Sequence, residues 1–155
     1  MKFGHSREIN VPIDYLFDRA CNFAVFEKRG IQHGIEVHRQ SGGPVVAGYR
    51  WQIAGILRGK PREAAIELVE FIRPDLIGVM VYSSGFQTAG TVRFIGLTKR
   101  SSRIETEIEI RATTLRARLI LQALRLARGR VAKRIRAAIN LSARKVEEDY
   151  RAASR

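Results

Sequence analysis

The feature that most constrains this chain is its last third. Residues 114–150 contain no proline and one glycine, Gly129, and are rich in Leu, Ala, Arg and Ile, residues that favour or tolerate helix. At about 100° per residue, Ala117, Ile120, Leu121, Leu124, Ala127, Val131, Ile135, Ala138, Ser142 and Val146 fall on one broad stripe. That is the signature of a helix with one buried face. A helix of this length spans roughly 50 Å, enough to cross a whole small domain. The preceding segments must therefore supply a surface wide enough to bury one side of it.

Those segments read mostly as strands. Residues 2–10 alternate weakly, with Phe3, His5, Arg7 and Ile9 on one side, until Val11-Pro12 stops the ladder because proline has no N–H to donate. Residues 14–19 and 22–28 read as two short helices with Phe17, Phe23, Val25 and Phe26 as apolar contacts, the second ended by Arg29-Gly30. From residue 31 the period becomes two. Strands are expected around Ile35 and Val37, over 48–57, 62–72, 76–86, 88–98 and 103–112. The turn clusters between them are Gln40-Ser41-Gly42-Gly43-Pro44, Arg58-Gly59-Lys60-Pro61, Arg73-Pro74-Asp75 and Lys99-Arg100-Ser101-Ser102. Residues 76–86 are apolar on both faces at their start, as in a central strand. Residues 103–112 alternate cleanly, with Ile104, Thr106, Ile108 and Ile110 inward and Glu105, Glu107, Glu109 and Arg111 outward. The order β-α-α-β-β-β-β-β-β-α with short connections favours an antiparallel meander.

A length of 155 residues allows one domain over 1–155 with one real core. No apolar run reaches the roughly eighteen residues of a membrane span, residues 1–8 have no apolar signal region, and the single Cys21 excludes an internal disulfide. A soluble cytoplasmic protein is the expectation. The net charge is +13, and between Arg111 and Val146 there are many cations and no acid. This opens nucleic acid, anionic membrane and anionic small molecules as partners, beside the plain reading of a solvated basic face.

The short opening strand, the Val11-Pro12-Ile13-Asp14-Tyr15-Leu16-Phe17 entry to the first helix, the Gly48-Tyr49-Arg50-Trp51 strand start and the long final helix resemble the START/Bet v 1-like (SRPBCC) superfamily, in its polyketide cyclase/dehydrase and lipid-transport branch. The resemblance covers nearly the whole chain. It rests on this pattern and on Ile9-x-Val11-Pro12-x-x-x-x-Phe17, which is more specific for fold than for function. It implies an α+β helix-grip fold: a bent antiparallel sheet of six to seven strands wrapped around the C-terminal helix, with two short helices after the first strand and an apolar cavity between. It also implies binding of lipids, polyketides or other hydrophobic molecules, with cyclisation or dehydration in some members.

The residues agree with that geometry. A sheet with one apolar face and a single long helix must bury those faces together, and one helix, about 10 Å across, is narrower than such a sheet. Large side chains, the short helices or a ligand must fill the remainder. By strand parity the candidate wall residues are Tyr49, Trp51, Ile53, Met80, Tyr82, Phe94, Thr106 and Ile108, with Leu124 on the helix and Phe23 and Phe26 near one mouth. Each is equally a plain core residue by type. For an enzyme, Tyr49, Tyr82 and His38 are the available acid–base groups, and no catalytic residue is singled out. His5, His33 and His38 lack metal-ligand spacing, Ser83-Ser84-Gly85 is no nucleophile elbow, and Gly42-Gly43 is no dinucleotide loop. Neither a metal nor a cofactor is expected.

One signal is left over. Leu115, Leu119 and Leu126 lie opposite the main stripe, flanked by Arg116, Arg118 and Arg125. A core helix needs one apolar face, so this patch calls for a second copy of the chain (a homodimer), a covering loop, or an anionic membrane surface. Nucleic-acid binding has the charge but few interleaved aromatics and no recognised motif. Gly129 marks a bend in the helix, admits a close neighbour, or is neutral.

Overall fold

The computed structural model describes residues 1–40 and 42–154, so Ser41 of the first turn cluster lies outside the described residues. The chain runs β1 (Lys2–Ile9), α1 (Ile13–Ala20), α2 (Phe23–Gln32), β2 (Glu36–Arg39), β3 (Arg50–Leu57), β4 (Lys60–Ile72), β5 (Leu76–Ser83), β6 (Phe86–Thr98), β7 (Ser101–Ala112), α3 (Leu115–Leu126) and α4 (Arg128–Ala153). The strands form one antiparallel sheet in the order β1-β7-β6-β5-β4-β3-β2. The sheet bends around the C-terminal helices, which is the helix-grip fold.

Two tight turns fix much of the register. Arg58-Gly59 joins β3 to β4 with φ of 53° and 75°, and Ser84-Gly85 joins β5 to β6 with φ of 49° and 82°. Positive φ at both central residues is the two-residue hairpin turn whose twist matches that of the strands. The meander from β2 to β7 follows. Each of β4 and β6 carries one irregularity, at Leu68/Glu70 and Gly96/Thr98. There the extra residues, Val69 and Leu97, break the ladder and bend their strands.

β1 and β2 are consecutive strands yet form the two edges of the sheet. The intervening α1 and α2 must therefore cross its full width, and they do so on the inner face. Phe17 stacks edge-on against Phe71 and Phe94, with ring centres 5.6 and 5.1 Å away, and Phe23 lies 5.4 Å from Trp51 and 6.0 Å from Phe71. Pairs of this geometry add about 0.5–1.5 kcal/mol each beyond their area. The core consists of Ile9, Val11, Leu16, Phe17, Tyr49, Trp51, Leu68, Ile77, Phe94 and Ile104, closed from above by Ala143.

Several boundaries differ from the sequence reading: β4 and β7 take in Lys60-Pro61 and Ser101-Ser102 of the expected turn clusters, β5 stops at Ser83 and β6 starts at Phe86. α2 does not stop at Gly30 but continues to Gln32. Gly34, at φ +83°, ends it, with its N–H bonded to Ile31 O and the Ile35 N–H to Gly30 O, the glycine-terminated Schellman arrangement. Gly30 instead admits β2, since a Cβ there would stand 3.4 Å from Val37 Cγ2. The C-terminal helix is also not one rod. It is broken at Ala127 (φ −103°, ψ 18°), two residues before Gly129. Beyond the break Val131, Ile135 and Val146 keep their place on the projected stripe, but Ala138 and Ser142 are exposed, and Ile139 and Ala143 face inward instead.

Gly85 is required twice over: by its φ, and because a Cβ would meet Thr114 Oγ1 at 2.5 Å. Gly85→Ala is expected to lower unfolding stability by about 1–3 kcal/mol. Gly129→Ala, with nothing within 4 Å, is expected to raise it by about 0.5 kcal/mol. Urea denaturation of the two variants checks both signs.

Candidate functional site

Paired residues across antiparallel strands share a face, so the register sorts the sheet into inner and outer sides. Trp51 pairs with Ile66, Ile66 with Val81, Val81 with Thr88 and Thr88 with Ile110. Phe94 pairs with Ile104, and Val92 with Thr106, which pairs with His5. All of these stand on the inner face.

Along that face, burial falls in the same direction on five strands. It goes from Trp51 to Ile53 on β3, from Leu68 to Ile66 and Ala64 on β4, and from Ile77 to Val79 and Val81 on β5. It goes from Phe94 to Val92, Gly90 and Thr88 on β6, and from Ile104 to Thr106, Ile108 and Ile110 on β7. In each series the first residue is buried and the rest are half-buried. The buried end is the base, where α1 and α2 cross. The other end is a mouth, bounded by the β3–β4 and β5–β6 turns and the start of α3.

Side-chain type changes with depth. The aromatics Tyr49, Trp51, Phe71 and Phe94 fill the base, whereas Ala64, Thr88, Gly90 and Thr106 stand among Ile53, Val81, Ile108 and Ile110 toward the mouth. The helices opposite turn Leu121, Leu124, Val131, Ile135 and Ile139 inward, the last four half-buried as well. The base is packed solid, and above it the inner face and the facing helices carry half-buried apolar side chains. β1 is the exception: Phe3, at its mouth end, is buried under the Arg128 guanidinium, 4.7 Å from the ring centre. Arg128 also donates to Lys2 O, so the first residue of α4 latches onto the sheet edge.

A polar seam runs along the β1 side of the inner face. Arg7 donates to the Asn140 carbonyl (2.9 Å) and to Glu147 Oε1 (3.1 Å), and the Asn10 backbone N–H donates to Glu147 Oε2 (3.1 Å). His5 Nε2 lies 3.0 Å from Asn140 Oδ1. Glu147 is a buried charge, and these donors satisfy it, as burial of a charge requires. Sequence reading groups His5 and Arg7 with Phe3 and Ile9 on one side of the first strand and passes over Asn140 and Glu147. A carboxylate four residues after Ala143, on the inward side of the helix, is the available signal.

The candidate wall residues separate into three groups. Tyr49, Trp51 and Phe94 are buried in the base with Phe23 packed against Trp51. Ile53, Thr106, Ile108 and Leu124 are half-buried on inward faces at the mouth end. Met80, Tyr82 and Phe26 are corrections. Met80 pairs with Glu67 and Ala89, and Tyr82 with Ala65 and Gln87, all on the outer face. A run apolar on both sides gives no parity signal, so the sequence alone turns β5 the wrong way round. Phe26 is on the exposed side of α2. Tyr82 lines an open hollow of about 360 Å³ with Gln52, Ser83, Gly85 and Phe86, and a second hollow of about 410 Å³ lies at the helix break against Leu126, Ala127, Gly129 and Arg130.

The acid–base candidates do not converge. Tyr49 is in the floor, Tyr82 is outside, and exposed His38 on β2 stands 3.8 Å from Glu36. Among the described residues no three His, Cys, Asp or Glu side chains group as a metal site. Burial pushes the Cys21 thiol up, against the opposing pull of Arg73, the reverse of an activated nucleophile. Glu27 links α2 to the sheet: Arg39 donates to it at 2.6–3.0 Å and Trp51 Nε1 at 3.3 Å. The Arg39 hydrogen bond holds its carboxyl below the usual carboxylate range, assisted by Trp51 and opposed by burial.

Comparison with solved structures finds the same fold at low sequence identity. Norcoclaurine synthase from Thalictrum flavum, solved as a point mutant with a transition-state analogue, superimposes with a TM-score of 0.69 at 13% identity over 97% of this chain and 96% of that one. The Zhui aromatase/cyclase from Streptomyces sp. R1128 gives 0.62 at 16% identity over 99% and 97%. A protein from Thermus thermophilus gives 0.61 at 15% identity over the full length of both. No protein-family model matches the chain, and no curated protein matches it in sequence. No helix among the described residues is long and apolar enough to cross a membrane.

Glu147→Ala leaves Arg7 without its carboxylate, and is expected to cost about 2–4 kcal/mol by urea titration. For Glu27, a folded-state pKa below the unfolded value of about 4.3 stabilises above that value, and the contribution is lost as pH falls through the folded one. Glu27→Gln should therefore unfold at lower urea than wild type at pH 7, and the gap should narrow by about pH 3, followed by Trp51 fluorescence.

Proposed function

We propose that this protein binds a hydrophobic small molecule, a lipid, polyketide or similar compound, in the cleft between the inner sheet face and the C-terminal helices. The observation that carries this reading is the shared burial gradient on five strands, from a packed base to a half-buried apolar mouth. Binding sites for such ligands are concave and mostly apolar, with a few polar groups to orient the guest. Here Thr88, Thr106 and the His5–Asn140 pair supply polar groups on that face and along its edge. The ligands bound by proteins of the same fold support the reading: a transition-state analogue is held by norcoclaurine synthase.

A second reading, a cyclase- or dehydratase-like enzyme, is favoured by one feature. His5, Asn140 and Thr106 gather polar atoms along the apolar wall, and His5 is the general acid–base candidate among them. His5→Gln should then abolish turnover of a bound substrate while leaving its Kd within about twofold.

The binding reading is tested by filling the cleft. Wild-type protein should take up an anilinonaphthalene sulfonate probe, and carry hydrophobic compounds from a lipid and polyketide panel into native mass spectra. Ile108→Trp should weaken probe binding at least about tenfold with an unchanged unfolding midpoint. Overpacking an already filled interior would instead cost about 1–3 kcal/mol, and that outcome would remove the cleft and the function together.

A further inference from the structure

The mouth end of the fold carries an apolar and basic surface that the cleft does not account for. On α3, Leu115, Leu119 and Leu126 are 74%, 59% and 93% exposed, although Ala117 and Leu121 on its other side are buried. At about 100° per residue the three leucines lie within about 40° of one another. Arg118 and Arg125 border them on one side and Arg116 on the other, all exposed. The tip of the β3–β4 hairpin repeats the composition. Ile56 and Leu57 are 78% and 63% exposed, and Arg58, Lys60 and Arg62 follow with no acid between.

The two elements stand at the same end of the sheet. Ala65 pairs with Tyr82, next to the β5–β6 turn, and the β3–β4 hairpin extends past that register to its tip at Leu57 and Lys60. Gly85 of the β5–β6 turn abuts Thr114 and Ala117, where α3 begins.

We propose that this end of the molecule docks on the surface of an anionic phospholipid bilayer, with the leucines of α3 and the Ile56-Leu57 tip entering the headgroup boundary and the flanking cations meeting lipid phosphates. Basic helices with an exposed apolar face bind in this manner, and each added cation strengthens the attraction to an anionic leaflet. Charge selects this occupant over a second copy of the chain, because pairing two α3 faces would set Arg116, Arg118 and Arg125 against their own duplicates. The leucines select it over nucleic acid, whose phosphates offer nothing to an apolar centre. Docking in this orientation presents the mouth of the cleft to the bilayer, but does not depend on the cleft being occupied.

Vesicle flotation with the full chain tests the proposal. Wild type should float with phosphatidylglycerol/phosphatidylcholine vesicles, not with phosphatidylcholine alone, and less as salt is raised. Leu115→Ser/Leu119→Ser/Leu126→Ser should lose binding at least about tenfold while keeping the wild-type circular dichroism and unfolding midpoint. The separate hairpin variant Ile56→Ser/Leu57→Ser should show a loss in the same direction, and serves if the triple variant does not fold. The proposal is overturned if wild type ignores anionic vesicles or if both leucine variants bind them as well as wild type. It is also overturned if sedimentation velocity finds a dimer that the triple variant dissolves, or if duplex DNA is retained as tightly as vesicles and without regard to the leucines.

Discussion

The last turns of α4 are clamped to the start of the chain, and the rest of the architecture depends on that clamp. Glu147 accepts from Arg7 on β1 and from the Asn10 backbone just after it. Tyr150 meets the ring of Tyr15 at 4.8 Å, and Arg19 pairs with Asp149. Ser102 at the start of β7 donates to Val11 O from a fully buried site. An ion pair on a half-solvated surface would contribute little, but a buried carboxylate left unpaired is costly. One register of helix against strand therefore satisfies Glu147, and alternatives do not.

Away from that clamp, burial along the inner face falls from Ile104 to Ile110 and from Phe94 to Thr88. The base is filled because α1 and α2 must span from one sheet edge to the other and carry Phe17 and Phe23 into the concavity. Toward the mouth the aromatic side chains of the base give way to aliphatic and small ones, Ile53, Val81 and Ile108 with Ala64, Thr88 and Gly90, which are half-buried. A tightly packed base and a half-buried upper face thus follow from where α1 and α2 place their aromatic side chains.

The break at Ala127 divides the C-terminal helix into parts with different work. α4 carries the clamp and the Arg128 latch on β1. α3 lies at the mouth, capped by Thr114, whose hydroxyl accepts from the Ala117 N–H at 3.1 Å. Because α3 is short and inserts only a narrow face, its opposite side is free to bear leucines and arginines without disturbing the core. Placing that face on a separate helix segment lets its chemistry be set by what lies outside the protein.

Much of the fold was legible in the amino-acid order because it depends on local periodicity. Alternation along 103–112, the Pro12 stop, the glycine turns and the Leu/Ala/Arg-rich tail fix strands, turns and helix by short-range sterics and the separation of apolar from polar faces. Those same signals exposed the surplus leucines of α3. Only tertiary structure decided the rest. Which side of β5 faces inward could not be read where both sides are apolar, so Met80 and Tyr82 went to the wrong face. In the middle of α4 the buried stripe runs through Ile139 and Ala143 and not through Ala138 and Ser142. The closure of β1 on β7, and with it the meeting of His5 and Arg7 with Asn140 and Glu147, joins residues from opposite ends of the chain. No local pattern encodes such a meeting, because its free energy comes from desolvation and pairing that exist only once the sheet has bent around the helix.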